Sequence, residues 1–456
     1  MHIVFFIRRM NDYRAFSTLV NKGLEKGHTV ECWHLCDPAN KQGGKGYLYP
    51  DPANSPFAGK QRRGVSVVAF DSMEKMSEAA CSTPGITHIV TLCPPEMIIR
   101  EQDLERFGGY WCIIMHGPDS FKETGRLVGR TIDPGVKRIF FPYTRHFFDW
   151  GIEFSEKFLP VAKTYFSETN TLVIPVGCTM FDERLDAIDP EEVRRKYGIP
   201  EGKNIVLYLP YAFGKSKKNR KSRSWQHAFS GIHVQRVARR AFNDGGYRPL
   251  SFTERFSKYI SELSRILPDR QARTTLFRGW HEPAVIDALR VFCNANDLVL
   301  VVKPRRKFDF SEAVHRKADI IIDDDESRQY PSKLQELFSV ASLTVALFST
   351  AAIESVHQHV PMLNIESMDD RFLGTEQRHW HPNHEGSFYS FPGVVRNFTI
   401  HEFIRRMPAA SIRDFAMEPG KRREYMDRFI GDEKPCAAEK FYCELERIMR
   451  EQAKNG

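Results

Sequence analysis

Residues 191–210 read EEVRRKYGIPEGKNIVLYLP, and this stretch decides the fold. Its first half, Glu191 to Tyr197, is a charged helical run that Gly198 ends, because glycine enters the left-handed C-cap conformation without steric cost. Its second half, Asn204 to Leu209, is a short apolar run with β-branched and aromatic side chains, the pattern of a strand. A strand that starts here starts a second series, because an α/β pattern has already run through the residues before it.

Upstream, His2 to Ile7 reads as a strand and Thr29 to Leu35 as the next. Between them Asn11 and Asp12 can cap a helix with Phe16, Leu19, Val20 and Leu24 on its apolar face, ended by Gly27. Beyond a Pro-, Gly- and Lys-rich loop at 38–63 come strands at 65–70, 88–92 and 111–115, with a helix at 71–80. Downstream, strands follow at 298–302, 318–322, 343–347 and 362–365. Strands alternating with helices indicate a parallel, doubly wound sheet, with a mixed α+β arrangement of the first half as the alternative. The expectation is therefore α/β with two Rossmann-like lobes. Residues 1–180 form the first, 181–430 the second with an insertion at 212–285, and 431–456 a C-terminal helix. Open α/β sheets bind ligands at the carboxyl ends of their strands, so two lobes facing across a cleft suit a two-substrate transfer.

The composition narrows the class. A chain of 456 residues that is 41% hydrophobic and 27% charged belongs among globular proteins and not among collagen-like, disordered or coiled-coil ones. No apolar run reaches the length of a bilayer span. The opening MHIVFFIRRMND places Arg8 and Arg9 after its apolar run, the reverse of a secretory signal, so a cytoplasmic location is expected. Nine scattered cysteines without a Cys-x-x-Cys pair argue against a disulfide framework or a zinc ribbon. The net charge of +8 is mild and favours anionic partners such as nucleotides or phospholipids; it is no mark of nucleic-acid binding.

Glycine-rich phosphate loops are absent from the sequence, which removes the simplest dinucleotide and P-loop readings. In their place, LTVALFSTAAIESV (343–356) runs a strand into Ser349, Thr350 and Ala351 at a helix start, with Glu354 one turn in. Amide donors and the positive end of the helix dipole suit a phosphate there, and Glu354 a ribose; a plain N-cap by Ser349 with an exposed Glu354 is the other reading. In LVLVVKPRR (298–306), Lys303, Arg305 and Arg306 leave a buried strand, where cations can neutralise a leaving phosphate. In the first lobe, WCIIMHGPDSF (111–121) closes a strand on His116. An imidazole titrating near neutrality suits a general base, with Asp119 beside it to orient or assist. Arg14, just after the first strand, is a candidate acceptor contact.

Other features carry less chemistry. The segment KSKKNRKSR (215–223) concentrates six positive charges within nine positions, followed by Trp225. It reads either as a solvated loop or as a contact to an anionic membrane surface, which would make the protein peripheral at the inner face of a membrane. His379, His381 and His384 could coordinate a metal with Glu385 at a suggestive spacing; a polar loop is the other reading. No metal and no cofactor is expected.

In chain order, the motifs MHGPDSF (115–121), VIPVGCTMFDERL (173–185), RRKYGIPEGKNIVLYLP (194–210), VVKPRR (301–306), LQELFSVASLTVALFSTAAIES (334–355) and IGDEKPCAAEKFYCELERI (430–448) form a succession. It resembles that of the CDP-glycerol glycerophosphotransferase-like group and of the wider GT-B transferases that make surface glycans. The resemblance covers roughly 110–445 and lies in the order of the motifs. It implies a GT-B fold without a bound Asp-x-Asp metal, His116-Gly117 closing a first-lobe strand, and Gly177 with Asp182 opening the second lobe. Arg305 stands near the family's usual His, Pro118-Asp119 alters its His-Gly-x-x-x-Lys pattern, and Pro210-Tyr211 replaces its Pro-Thr. These departures shift the expectation from polyol-phosphate chemistry toward glycosyl transfer. The expected reaction moves a sugar from a CMP-, CDP- or UDP-linked donor on the second lobe to a surface-glycan or lipid-linked acceptor on the first. A CDP-polyol phosphotransferase and a UDP-sugar 2-epimerase-like isomerase or hydrolase are the alternatives.

Overall fold

The computed structural model describes residues 1–7, 10–35, 64–92, 99, 101–104, 106–115, 144–153, 155–156, 171–182, 188–210, 282–304, 312–322, 333–347, 349–366, 385–434 and 436–455. His116, Asp119, Arg305, Arg306, the basic segment 215–223 and His379, His381 and His384 lie outside the described residues. The chain divides into two compact units, one made of Met1–Val128, Ile132–Arg184 and Met426–Gly456, the other of Gly129–Thr131 and Leu185–Tyr425.

The first unit is built on a seven-stranded parallel sheet in the order β3-β2-β1-β4-β5-β6-β7. Its strands are β1 His2–Ile7, β2 Thr29–Leu35, β3 Val65–Phe70, β4 His88–Thr91, β5 Tyr110–Ile114, β6 Thr144–Asp149 and β7 Leu172–Pro175. β1 shows why its sequence is apolar throughout. Ile3, Phe5 and Ile7 enter one core while Val4 and Phe6 enter the core on the opposite face. A parallel strand buried on both faces has no solvent side to mark with polar residues. Helix α1 (Met10–Glu25) covers the first face with Phe16, Leu19 and Val20, and α2 (Met73–Ser82) packs Met76 and Ala80 on the second. Between α2 and β5 lies the single-turn helix α3 (Glu101–Leu104).

The second unit repeats the plan with six parallel strands in the order β10-β9-β8-β11-β12-β13. They are β8 Ile205–Leu209, β9 Val299–Val302, β10 Ile320–Ile321, β11 Ala341–Ala346, β12 Met362–Glu366 and β13 Val395–Thr399. Helix α4 (Pro190–Tyr197) has the boundaries its sequence implies. Asp189 accepts the Glu191 amide at 2.9 Å, Pro190 takes the first turn, and Gly198 closes it at φ +68°. The remaining helices are α5 (Glu282–Ala295), α6 (Glu312–Lys317), α7 (Lys333–Phe338), α8 (Ala351–His357), α9 (Ile400–Arg406), α10 (Pro419–Phe429) and α11 (Ala437–Asn455). α4 and α7 are joined by Glu336, 7% exposed, whose carboxylate accepts from Lys196 at 2.6 Å and from the Tyr197 hydroxyl. Among the described residues no helix is long and apolar enough to cross a membrane.

Three findings correct the sequence-based expectations. Asn11 and Asp12 lie inside α1, which starts at Met10, so neither is its N-cap. Strands β6, β7 and β13 are additional to those expected. β7 and β13 are sheet edges, and β6 pairs with both its neighbours. Gly177 and Asp182 do not open the second unit but fasten the C-terminal helix to the first. The Asp182 carboxylate accepts the amides of Ala437 and Ala438 at the start of α11. Gly177, at φ +100°, lies so close to Gly431 that a Cβ added at Gly431 would approach the Gly177 Cα to 2.6 Å. Thus secured, α11 lays Ala438, Phe441, Tyr442, Leu445 and Ile448 into the same core as β1 and α1.

The β4–β6 part of the first sheet also buries polar groups. His88, Cys112 and His146 are essentially inaccessible. Burial depresses both imidazoles, His88 to about 3 and His146 to about 4, so both rings are neutral near pH 7.

Candidate functional site

In each sheet the chain order reverses at one place. In the second unit β8 leads to β9 and β10 on one side, whereas β11, β12 and β13 build outward on the other. The carboxyl ends of the two strands that flank such a reversal, here β8 and β11, are the usual ligand position of an open α/β sheet. The residues that follow these strands therefore decide what the unit can bind.

β11 ends at Ala346 and α8 begins at Ala351, so Ser349, Thr350, Ala351 and Glu354 are brought together at this switch point. The details narrow their roles. Ser349 is 5% exposed and its hydroxyl accepts the Ala351 amide at 3.3 Å. The amides of Ala352 and Ile353 turn back to the carbonyls of Ser349 and Thr350 at 3.1 and 3.0 Å. The expected row of amides aimed at a phosphate is thus largely spent inside a tight first turn, as happens where i→i+3 bonds close a helix end. Thr350 is the least buried member of the group, half-buried where the others are buried, and its hydroxyl makes no cap hydrogen bond. Glu354 is 6% exposed, which removes the reading of a solvated helix residue.

Lys303 sits on the other flank. It follows β9 directly, and its amide donates to the Tyr208 carbonyl at 3.0 Å, continuing the ladder with β8. β8 thus stands between the half-buried residue Lys303 and the Ser349–Thr350 turn, both following strands at the same end of the sheet. An anionic group with hydroxyls nearby is what this combination would hold.

α8 is itself held firmly. The Ser355 hydroxyl lies 2.9 Å from both Thr344 Oγ1 on β11 and the Val360 carbonyl. At its other end, the guanidinium of Arg422, 7% exposed, donates to the carbonyls of Val356 and His357, each at 2.9 Å. A cation over the last carbonyls of a helix adds donors where few intrahelical ones remain; the Val356 carbonyl accepts the His359 amide at 3.1 Å as well. Sequence reasoning missed Arg422, although a signal exists: residues 422, 425, 426 and 429 share one face of α10, and Tyr425, Met426 and Phe429 are all buried.

In the first unit the switch point lies between β1 and β4. Arg14 is on α1, the helix that follows β1, and is half-buried there. β5 continues its pairing through Met115, whose amide donates to the Phe148 carbonyl at 3.0 Å, one residue short of His116. A cavity of about 530 Å³ in the second unit, lined by Gly198, Arg290, Asp297 and Asp319, opens at the amino ends of β8–β10. It lies at the opposite end of the sheet from the switch point and plays no part in the candidate site.

No protein-family model and no curated protein sequence matches the chain. Solved structures do. The wall teichoic acid polymerase TagF superposes with a TM-score of 0.50 at 11% identity, over 99% of this chain and 90% of that one. Medicago truncatula UGT71G1 complexed with UDP-glucose matches with a TM-score of 0.51 at 10% identity, over 97% and 98%. At such identities the likeness speaks for the fold alone. Two parallel, doubly wound α/β units in one chain, similar over nearly their whole length to these structures, make this a protein of the GT-B fold.

Proposed function

We propose that the chain is a nucleotide-dependent transferase that moves a glycosyl group to a surface-glycan or lipid-linked acceptor. The observation that carries the proposal is the switch point of the second unit, where Lys303 and the Ser349–Thr350 turn flank β8 at the carboxyl end of the sheet. In this reading Lys303, with Arg305, neutralises the donor's phosphate as the nucleotide leaves. Thr350 and Ser349 supply hydroxyl contacts at the turn that ends in Ala351, and Glu354 accepts from the ribose hydroxyls. A cation is worth most at that step, because negative charge grows on the leaving phosphate in the transition state. His116 serves as the base that takes the proton of the acceptor hydroxyl, with Asp119 assisting it and Arg14 contacting the acceptor.

Calorimetric titration with CMP, CDP, UDP and GDP tests the donor half. The expected result is binding of one pyrimidine nucleotide, weakened at least about tenfold by Lys303→Ala, which corresponds to roughly 1.4 kcal/mol. His116→Ala is expected to leave that affinity unchanged and to abolish transfer. Binding of none of the four nucleotides overturns the proposal. TagF is a wall teichoic acid polymerase and UGT71G1 was solved with UDP-glucose, so the titration also separates two donor chemistries. A preference for CDP turns the reading toward a polyol-phosphate donor, and one for UDP toward a hexose or hexosamine.

A further inference from the structure

The first unit contains a group of side chains that the transfer reaction does not use. β4, β5 and β6 are neighbours in the sheet, with His88 paired to Tyr110, Val90 to Cys112 and Cys112 to His146. Residues two apart on a strand share a face, so His88, Cys112 and His146 project from one side of three adjacent strands. A ring nitrogen from each histidine and the cysteine sulfur lie within 4.8 Å of one another, and all three residues are buried. The Cys112 Sγ stands 3.6 Å from the His146 Nδ1. An ion with bonds of about 2.3 Å to sulfur and about 2.0 Å to nitrogen holds those two atoms roughly 3.5 Å apart at a tetrahedral angle, and slightly more at a trigonal one.

A second observation points the same way. His88 is 0% exposed and its Nε2 has no hydrogen-bond partner, although its Nδ1 lies 3.0 Å from the Thr87 hydroxyl. The Thr87 hydroxyl donates to the His2 carbonyl, so its oxygen accepts the His88 Nδ1–H and the lone pair is on the unpartnered Nε2; buried polar atoms are nearly always partnered. The Tyr110 ring closes over the pair, with centroids 5.5 Å from His88 and 5.6 Å from His146.

We propose that His88, Cys112 and His146 form a buried binding site for a thiophilic d10 metal ion, copper(I) or zinc(II), which staples β4, β5 and β6 together. On binding, the Cys112 thiol gives up its proton to solvent and the sulfur and the two imidazole nitrogens donate to the ion. Thiolate and imidazole are the ligands such ions select. Among the described residues no carboxylate joins the group. With one thiolate, copper(I) leaves the site neutral, whereas zinc(II) leaves it with one uncompensated positive charge in a dry core and one coordination position short of four. Charge and ligand number therefore favour copper(I). With no open face toward solvent the role is structural, and it is independent of the donor site in the second unit.

The test uses the full chain under reducing conditions, exposed separately to copper(I) and zinc(II), dialysed, and assayed for bound metal. About one copper(I) or zinc(II) per chain is the expected result, accompanied by a higher unfolding temperature, since a ligand that binds only the native state stabilises it. Changes to partners one shell out typically cost roughly 10–100-fold in metal affinity, so Cys112→Ala and His146→Asn should each cost at least about 100-fold. Where those variants fail to fold, X-ray absorption at the metal edge of the loaded wild type decides, with one sulfur and two nitrogens expected. Uptake below about a tenth of an equivalent of both ions by the wild type, undiminished uptake in folded Cys112→Ala, or an edge spectrum without sulfur overturns the proposal; in the first case Cys112 and His146 form a thiol–imidazole hydrogen bond and no more.

Discussion

Asp182 shows how much one side chain can organise at a distance. It follows the short 3-10 turn Thr179–Phe181 and caps a helix that begins 255 residues later, accepting from Ala437 at 2.9 Å and from Ala438. Burial raises its carboxyl above the usual value, and the amide hydrogen bonds pull the other way without cancelling the effect. Asp182→Ala is expected to destabilise the chain by about 1–2 kcal/mol, the cost of losing an N-cap, and Asp182→Asn by much less. Because the folded pKa lies above the unfolded one, this residue's contribution is largest below the unfolded pKa and falls as pH rises through the folded value. Urea unfolding across acidic pH checks both points. The difference between wild type and Asp182→Asn should change with pH in that window and level off above it. The resemblance placed Asp182 at the opening of the second lobe; its real partner was unreadable, since nothing local to 182 points to 437.

At the scale of the element, α8 is the piece on which the donor site depends. It is only Ala351–His357 long, too short to be stable by itself. Its fixity comes from the Ser355–Thr344 hydrogen bond to β11 and from the Arg422 fork on its last carbonyls. Removing Arg422 takes a charged donor from the buried Val356 carbonyl, which keeps the His359 amide at 3.1 Å, and another from the part-buried His357 carbonyl. Arg422→Ala should lower stability by about 2–3 kcal/mol, with Arg422→Lys recovering less than half, because an ammonium cannot reproduce a planar two-pronged donor. Equilibrium unfolding measures this. A matching loss of nucleotide affinity in the same variant would link the clamp to the site. The strand leading into α8 was legible because its apolar run is local. The use of the first amides inside the turn was not, because that depends on the backbone geometry of three residues.

For the whole molecule, the decisive event is the return of the chain to its first unit. Phe441, Tyr442 and Leu445 are 0% exposed and share a core with Phe5, Phe16 and Leu19, while the Tyr442 hydroxyl donates to the Leu19 carbonyl at 2.8 Å. Each large apolar side chain contributes about 1.5–3 kcal/mol by burial, so Phe441, Tyr442, Leu445 and Ile448 on α11 together supply roughly 6–12 kcal/mol. That is comparable with the entire net stability of a domain. Deleting residues 437–456 should therefore abolish the cooperative unfolding of the first unit, seen as loss of near-UV circular dichroism and rapid proteolysis within residues 1–184. Retention of a sharp transition for that unit would contradict the assignment of α11 to its core.

The sequence alone determined the fold class, the two successive α/β series, most strand positions and the helices α1, α2, α4 and α11 with the start of α8. Side-chain alternation, caps and glycine stops act within a few residues, so they can be read within a few residues. Tertiary structure alone decided that His88, Cys112 and His146 meet, that Asp182 holds α11, that Arg422 closes α8 and that the Ser349 oxygen accepts an amide of its own turn. Each of these depends on strand register, on helix docking or on the geometry of one turn, and pairing between distant segments leaves no periodic trace in either partner.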